Sequence, residues 1–307
     1  MNYTLNQLQV FLKVTQTLSV TKAAEELHLT QPAVSIQLRN LQDQFDIPLT
    51  EVIGRRIYIT DFGKEIARSV ESILEQILTI DHKTHSFKGQ LTGRLKLSTV
   101  STGRYLMPFF LSPFMKQHKN IELIMDVTNR SRVIESLEQN AVDFSLVSIL
   151  PKTPVVEKLD LFENKFFLVG SGGEKFNKTP YSKHILKELP LIFREKGSGT
   201  RLAMEKFIER NRLAITPKME LTSNEAVKYA VVAGLGYSIM PLIGIKNELK
   251  DGHLQIIPVN GFPIKTLWRL IWLKGKKHSP VAASFLEFVR KEKNTVIEKY
   301  FSFEDQY

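Results

Sequence analysis

The stretch HLTQPAVSIQLRNL, His28 to Leu41, decides how the front of the chain folds. Thr30 can accept a hydrogen bond from a free backbone N–H at a helix start, and Pro32 falls in the first turn, where its missing N–H costs nothing. Val34, Leu38, Leu41 and Phe45 recur at steps of four, three and four, the period of one helix face turned to a core. Gln31, Ser35, Ile36, Gln37 and Arg39 then fall on or beside the open face. That face offers amides, a hydroxyl and a guanidinium. Gln31 could pair with an adenine edge, Arg39 could reach guanine or phosphate, and Ile36 could touch a thymine methyl. The same residues equally suit an ordinary solvated helix in a three-helix unit.

Working outward, TLNQLQVFLKVTQTLS places Leu5, Leu8, Phe11, Leu12 and Leu18 near helical period behind Thr4, a plausible cap. A short helix over about 21–28 follows, whose Ala23 and Ala24 permit close crossing. Downstream, EVIGRRIYIT predicts two short strands, 51–53 and 57–60, around Gly54, Arg55 and Arg56. This is a wing whose arginines could enter a minor groove or grip phosphate. Thr60 opens a long helix over about 61–87, in which Ile66, Val70, Ile73, Ile77 and Ile80 repeat in heptad fashion. Such a seam fits a dimer contact, or packing on its own domain.

KGQLTGRL, residues 88–95, reads as a hinge. Beyond it, strand-like runs (RLKLSTV, IELIMDV, DFSLVSI, KFFLVGS, LPLIFRE, KMELTS, YSIMP) alternate with helices expected at about 103–117, 131–139, 200–211, 224–233 and 280–293. This alternation predicts α/β layers with mainly parallel sheets in two lobes around a cleft, with TLWRLIWL returning to the first.

The 307-residue length exceeds one ordinary domain, and 43% hydrophobic with 24% charged residues is usual for a soluble globular chain. The start, MNYTLNQLQVF, lacks the features of a secretory signal, and AVVAGLGYSIMPLIGI is too short and interrupted for the roughly 20 residues a bilayer needs. A cytoplasmic protein with no membrane contact is expected. With no cysteine there is no disulfide, thiolate metal site or cysteine nucleophile. The net charge of +10 is misplaced for bulk attraction of DNA by the front: residues 1–90 hold nine Lys or Arg against ten Asp or Glu. Any nucleic-acid contact there must come from placed residues. The basic excess behind residue 90 fits a lysine-rich solvated surface or attraction of an anionic ligand.

FLKVTQTLSVTKAAEELHLTQPAVSIQLRNLQ with GRRIYITDFGKEI resembles the DNA-binding segment of the LysR-type transcriptional regulators over residues 4 to about 87. AAEELHLTQPAVS is highly specific to that family. STVSTGRYLMPFF, DFSLVS, GSGTR and EAVKYAVVAGLGYSIMP resemble its effector-binding region, closest in look to members controlling sulfur assimilation or carbon fixation. The resemblance implies an α/β chain with a winged helix-turn-helix at 1–60, a linker and dimerisation helix at 61–87 and a hinge at 88–94. A two-lobed, periplasmic-binding-protein-like regulatory domain would follow at 95–307, with lobe I at about 95–160 and 267–307 and lobe II at about 161–266. Two departures stand out. Thr50 follows Leu49 where the family usually has an aromatic, which would loosen the wing, and Ile36 stands where a basic residue is often found.

In doubly wound sheets, ligands bind where strands end and helix N-termini offer free N–H groups. Thr99, Ser101, Thr102, Ser148, Ser198, Thr200, Arg201, Ser223 and Asn224 fall at such places. Helix capping alone would also put Ser, Thr or Asn there. The resemblance implies that Ser101, Thr102, Ser148 and Thr200 line the effector site, with Arg201 as charge partner.

Nothing supports catalysis, a metal or a cofactor: His82 and His85 lack a third ligand, GSGTR and GSGGEKF are not phosphate-binding P-loops, and KGKKH, 274–278, reads as a solvated turn. The expectation is a non-enzymatic regulator binding inverted-repeat double-stranded DNA, responsive to a small anionic metabolite. It would be a homodimer assembling to a homotetramer, with RNA polymerase the further partner such a regulator would meet. A cytosolic solute-binding protein without specific DNA binding is the alternative.

Overall fold

The computed structural model describes residues 3–54, 56–86 and 91–307, with the side chains of residues 75, 78–86, 305 and 306 outside that description. The chain divides into two compact units, Met1–Gly89 and Gln90–Tyr307.

In the first unit, Thr4 and Gln7 cap α1 (Leu5–Thr17) reciprocally, each side chain bonded to the other's backbone N–H. Leu18, left-handed at φ 51°, stops the helix, and Ser19 starts α2 (Val20–Leu27). Another left-handed residue, His28, ends α2, and Thr30 caps α3 (Gln31–Gln42). Val34, Leu38 and Leu41 turn inward, as their spacing predicts, onto Leu8, Phe11, Val14, Ala23 and Ala24. β1 (Thr50–Ile53) and β2 (Arg56–Ile59) pair antiparallel about Gly54. Leu49, fully buried, anchors this wing, and its N–H donates to Gln42 Oε1 at 2.8 Å. Thr50 is half-buried, and its N–H reaches the same oxygen at 3.3 Å. The polar side chain expected to loosen the wing thus sits on a backbone tied to α3.

Thr60 begins α4 (Asp61–Ser86): its hydroxyl donates to Pro48 O at 2.6 Å and accepts from Gly63 N at 2.9 Å. The heptad seam divides along this helix. Ile66 and Val70 pack into the unit's own core, whereas Ile73 is exposed. Ile80 lies outside the described side chains.

The second unit opens with β3 (Gly93–Val100), a 3-10 turn (Ser101–Tyr105) and α5 (Met107–Gln117). The single helix expected from 103 is thus split at Leu106, and Pro108 opens the second piece. β4 (Ile121–Thr128), α6 (Arg130–Glu138), β5 (Phe144–Val147) and β6 (Val156–Ser171) follow. Then come β7 (Ile192–Arg194), α7 (Gly199–Arg210), β8 (Met219–Leu221), α8 (Asn224–Val232), β9 (Ser238–Pro241), α9 (Lys246–Lys250), β10 (Leu254–Ile256), β11 (Ile264–Leu273) and α10 (Pro280–Phe301).

The sheet departs from the mainly parallel expectation. β3 pairs parallel with β4 and β5, and β7 with β8, but the long β6 and β11 run antiparallel to each other and to their other neighbours. One seven-stranded sheet, ordered β10-β6-β11-β5-β3-β4 with β9 also on β6, therefore carries both lobes. Around its first half, Leu97, Phe110, Phe114, Phe144, Trp268 and Phe285 form one core, which also takes Leu161 and Phe162, two residues past the expected lobe boundary. Along the second half of β6, Phe166 and Leu168 face a core with Met204 and Phe207 of α7. Phe167 and Val169 on the opposite face meet Val227 and Val231 of α8. Strand alternation thus supplies two helix layers.

α10 continues eight residues past its expected end, to Phe301, with Val296 and Phe301 buried in the first core. The following turn brings the backbone of Glu304 to Lys165, whose ammonium donates to its carbonyl at 2.6 Å. The KGKKH segment is not merely solvated: Lys276 donates to Asn140 Oδ1 and Val142 O, and His278 stacks on Phe144 at 4.9 Å. Among the described residues, no helix is long and apolar enough to cross a membrane, and no group of three His, Cys, Asp or Glu could hold a metal ion.

Candidate functional site

The outer face of α3 is open. Gln31, Pro32, Ile36 and Arg39 are exposed, Ile36 by 57%, and Ser35 and Gln37 are half-buried. Gln31 Nε2 lies 3.4 Å from Ser35 Oγ, so the two polar groups at the helix start stand together without a tertiary partner. Thr30, exposed, spends its hydroxyl on Ala33 N. Arg56 is exposed on the wing, where Val52 and Ile53 add apolar surface at 68% and 62% exposure. Arg55 lies outside the described residues. A helix face bearing a free amide, a hydroxyl and a guanidinium beside an exposed basic hairpin can read base edges and hold phosphates.

The second unit brings five of the nine expected cleft residues into one slot. Ser101 and Thr102 come from the turn after β3, Ser148 from the end of β5, and Ser198 and Thr200 from the start of α7. Thr102, Ser148 and Ser198 are buried. Two helix N-termini converge here. Asn129 caps α6 and Ser198 caps α7, and neither first turn holds an acidic residue. The caps take the N–H groups of Arg132 and Arg201, and Gly197 O takes that of Ser131, so the N–H groups of Arg130, Gly199 and Thr200 are left with the hydroxyls, and no acid, as an anion-binding environment. The slot's volume is about 10 Å³, the space of one water.

The other four residues lie elsewhere. Thr99 is buried beneath Gly103, where a Cβ would sit 1.7 Å from its hydroxyl. Arg201 points away and is committed: it donates to Glu205 at 2.6 Å, to Glu220 and to Arg194 O at 2.9 Å. Burial alone would lower its pKa, but the two carboxylates hold it raised. Arg201 is therefore an internal strut of lobe II, and no lone charge awaits a ligand there. Ser223 caps α8 through Ala226 N. Asn224 stands next to the slot, and its Nδ2 donates to Ser101 Oγ at 2.9 Å.

Sequence reasoning missed the cation that does line the slot. Arg130, half-buried in the first turn of α6, donates to Ile149 O and Leu150 O, both at 3.1 Å, and has no carboxylate partner among the described residues. Burial pushes its pKa down with no neighbouring acid to offset it. Arg194 was missed too: buried and paired bidentately with Glu195, it donates to Ser101 Oγ at 3.3 Å. Asn129 did carry a signal, since it follows a strand as Ser198 does.

Ser101 thus joins the lobes by accepting from Arg194 and Asn224. Tyr105, at the far end of the same turn, hydrogen-bonds Glu225 of α8. Burial and Glu225 together push the Tyr105 phenol up to about 12. Burial would raise the Glu225 carboxyl, but hydrogen bonds from Tyr105 and Lys228 outweigh it and hold the group below the ordinary range.

Residues 5–64 match the family of bacterial regulatory helix-turn-helix proteins of the lysR type, and residues 88–294 match the LysR substrate binding domain. The RuBisCO operon transcriptional regulator of Allochromatium vinosum is 37% identical across 95% of this chain and 97% of its own length. The transcriptional activator CmpR of Synechocystis is 37% identical across 94% and 95%. The regulatory domain of Synechocystis CcmR, solved in complex with 2-PG, is 29% identical and superimposes with a TM-score of 0.63 over 66% of this chain and 98% of that one. The helix-turn-helix match removes the alternative of a solute-binding protein without DNA binding. The chain belongs to the LysR family, and it is a DNA-binding transcriptional regulator with an effector-binding domain.

Proposed function

We propose that α3 enters the DNA major groove with Gln31, Ser35 and Arg39 toward base edges, while Ile36 makes an apolar contact, Gln37 supports the face, Thr30 and Pro32 set the entry of the helix, and the wing arginines 55 and 56 meet the backbone. Two protomers joined along α4 from the exposed Ile73 onward read an inverted repeat, and dimers associate to a tetramer. The likeness to regulators of RuBisCO operons supports target genes of carbon fixation, where the protein would work in the cytoplasm and meet RNA polymerase. It performs no catalysis and needs no cofactor.

A small anion, of the kind found in the CcmR regulatory domain, sets its activity by binding the slot. The observation carrying this reading is the meeting of two acid-free helix N-termini with five hydroxyls and the unpaired Arg130. Binding shifts the equilibrium between assemblies to the extent that the anion prefers one of them. Calorimetric titration with a panel of phosphorylated and carboxylated metabolites tests it. A hit should lose about tenfold in affinity in T102A and more in R130M, and should be untouched in R201A. Equal binding by wild type, T102A and R130M would remove the slot.

A further inference from the structure

A second cavity adjoins the slot. It lies between α6 and α7, has a volume of about 530 Å³ and shares Arg130 with the slot. That volume falls in the range of small-molecule sites, roughly 300–1,000 Å³. Its walls are apolar: Ile134 from α6, Leu202 from α7, and Ile149 and Pro151 from the segment after β5. Lys206, one turn beyond Leu202, and Lys152 stand exposed at its edge. Neither lysine has an ion-pair partner among the described residues, and with Arg130 three cations border the groove. Two carboxylates, Glu135 and Glu138, line the α6 side. Three cations against these two carboxylates leave the groove a net positive charge, and Lys206 on α7 with Arg130 in the first turn of α6 form its positive end.

We propose that this groove is a second ligand site, taking an amphipathic organic anion: an apolar, preferably flat body against Ile134, Ile149 and Leu202, with its carboxylate, sulfonate or phosphate directed to Arg130 and Lys206. It rests on the slot reading only in sharing Arg130. Because the Nε and Nη2 of that guanidinium already hold the carbonyls of Ile149 and Leu150, its remaining N–H groups serve the slot or the groove in turn. The two ligands therefore compete, and a metabolite in the groove would oppose the slot's effector. Slot and groove differ in what they admit. The slot, at about 10 Å³, admits a metabolite only when the lobes part, whereas the groove is open to an organic body as the lobes stand.

The test uses the full chain and the dye anilinonaphthalene sulfonate, an aromatic sulfonate that fluoresces when its body leaves water. Saturable binding is expected, weakened about tenfold or more in both L202E and K206E. Lys206 is exposed, so K206E keeps the fold if L202E does not. T102A, which removes a hydroxyl that lines the slot and not the groove, should bind the dye as wild type does. Inorganic phosphate should displace part of the dye from wild type. Dye binding unchanged in L202E and K206E overturns the groove, whatever phosphate does. If phosphate binds but leaves the dye untouched, the competition through Arg130 is overturned. Failure of phosphate to bind at all, with the groove variants still impaired, counts against the slot and leaves the groove standing.

Discussion

Gln31 and Arg56 would act on DNA through different physics, and two substitutions separate them. Q31A removes a side chain able to pair bidentately with adenine, and should cost about 1–3 kcal/mol on the specific site and little on other sequences. R56A removes the proposed phosphate contact, so it should weaken binding to all sequences alike and lower the salt slope by about one. Binding isotherms across a salt series check both. Glu225 makes a pH prediction. Its carboxyl is held below the ordinary range, so its share of stability is full above the unfolded pKa and is lost as pH falls through the lowered folded value. Tyr105, raised to about 12, contributes below its unfolded pKa and loses that contribution as pH climbs through the folded one. Thermal melts of wild type and E225Q should diverge at neutral pH and converge in acid. Residue placement was legible only where neighbours in sequence settle it. The hydroxyls of the slot announced themselves at strand ends. Arg201, in α7, misled because Glu220, one of its partners, comes from the separate strand β8, and Arg130 hid among the polar residues of an ordinary helix start.

At the scale of elements, α4 depends on a tight joint with the wing. A Cβ on Gly63 would stand 2.0 Å from Leu49 O, so G63A should destabilise the first unit even though alanine favours helix by about 1 kcal/mol over glycine. T60A loses a cap and should cost about 1 kcal/mol. Chemical denaturation of each variant measures these costs. Farther along, Ile73 is exposed while Val70 is buried, so the seam is divided between the unit's own core and an open face that the proposed dimer would cover. I73E should leave the fold's melting intact and shift sedimentation toward monomer. The helices of the first unit were readable because caps and apolar period coincide. The first half of β6 was not: Glu157, Lys158, Asp160 and Glu163 are exposed along it, and the charge-rich run VEKLDLFEN carries no strong strand signal. Its antiparallel partner β11 lies about a hundred residues away, and no local pattern reveals direction across such a gap.

For the whole molecule, two units divide the work between reading DNA and sensing a ligand. The first is nearly neutral, nine basic side chains against ten acidic over residues 1–90, so specificity there must come from placed contacts and the salt dependence should be modest. In the second, the lobes meet at Ser131 N, which donates to Gly197 O at 3.2 Å. Gly197 has φ +89°, and a Cβ there would fall 2.6 Å from Ser131 Oγ. G197A should therefore keep the lobes from closing at that point, and calorimetry should show the slot's anion bound more weakly with an unchanged first unit. The central claim, that α3 reads base edges, is tested most directly by selecting genomic DNA fragments with purified protein over a range of salt. An inverted repeat with half-sites about one helical turn apart, bound more weakly by Q31A, is the expected result. Fragments that share no sequence, released together as salt rises, would contradict it.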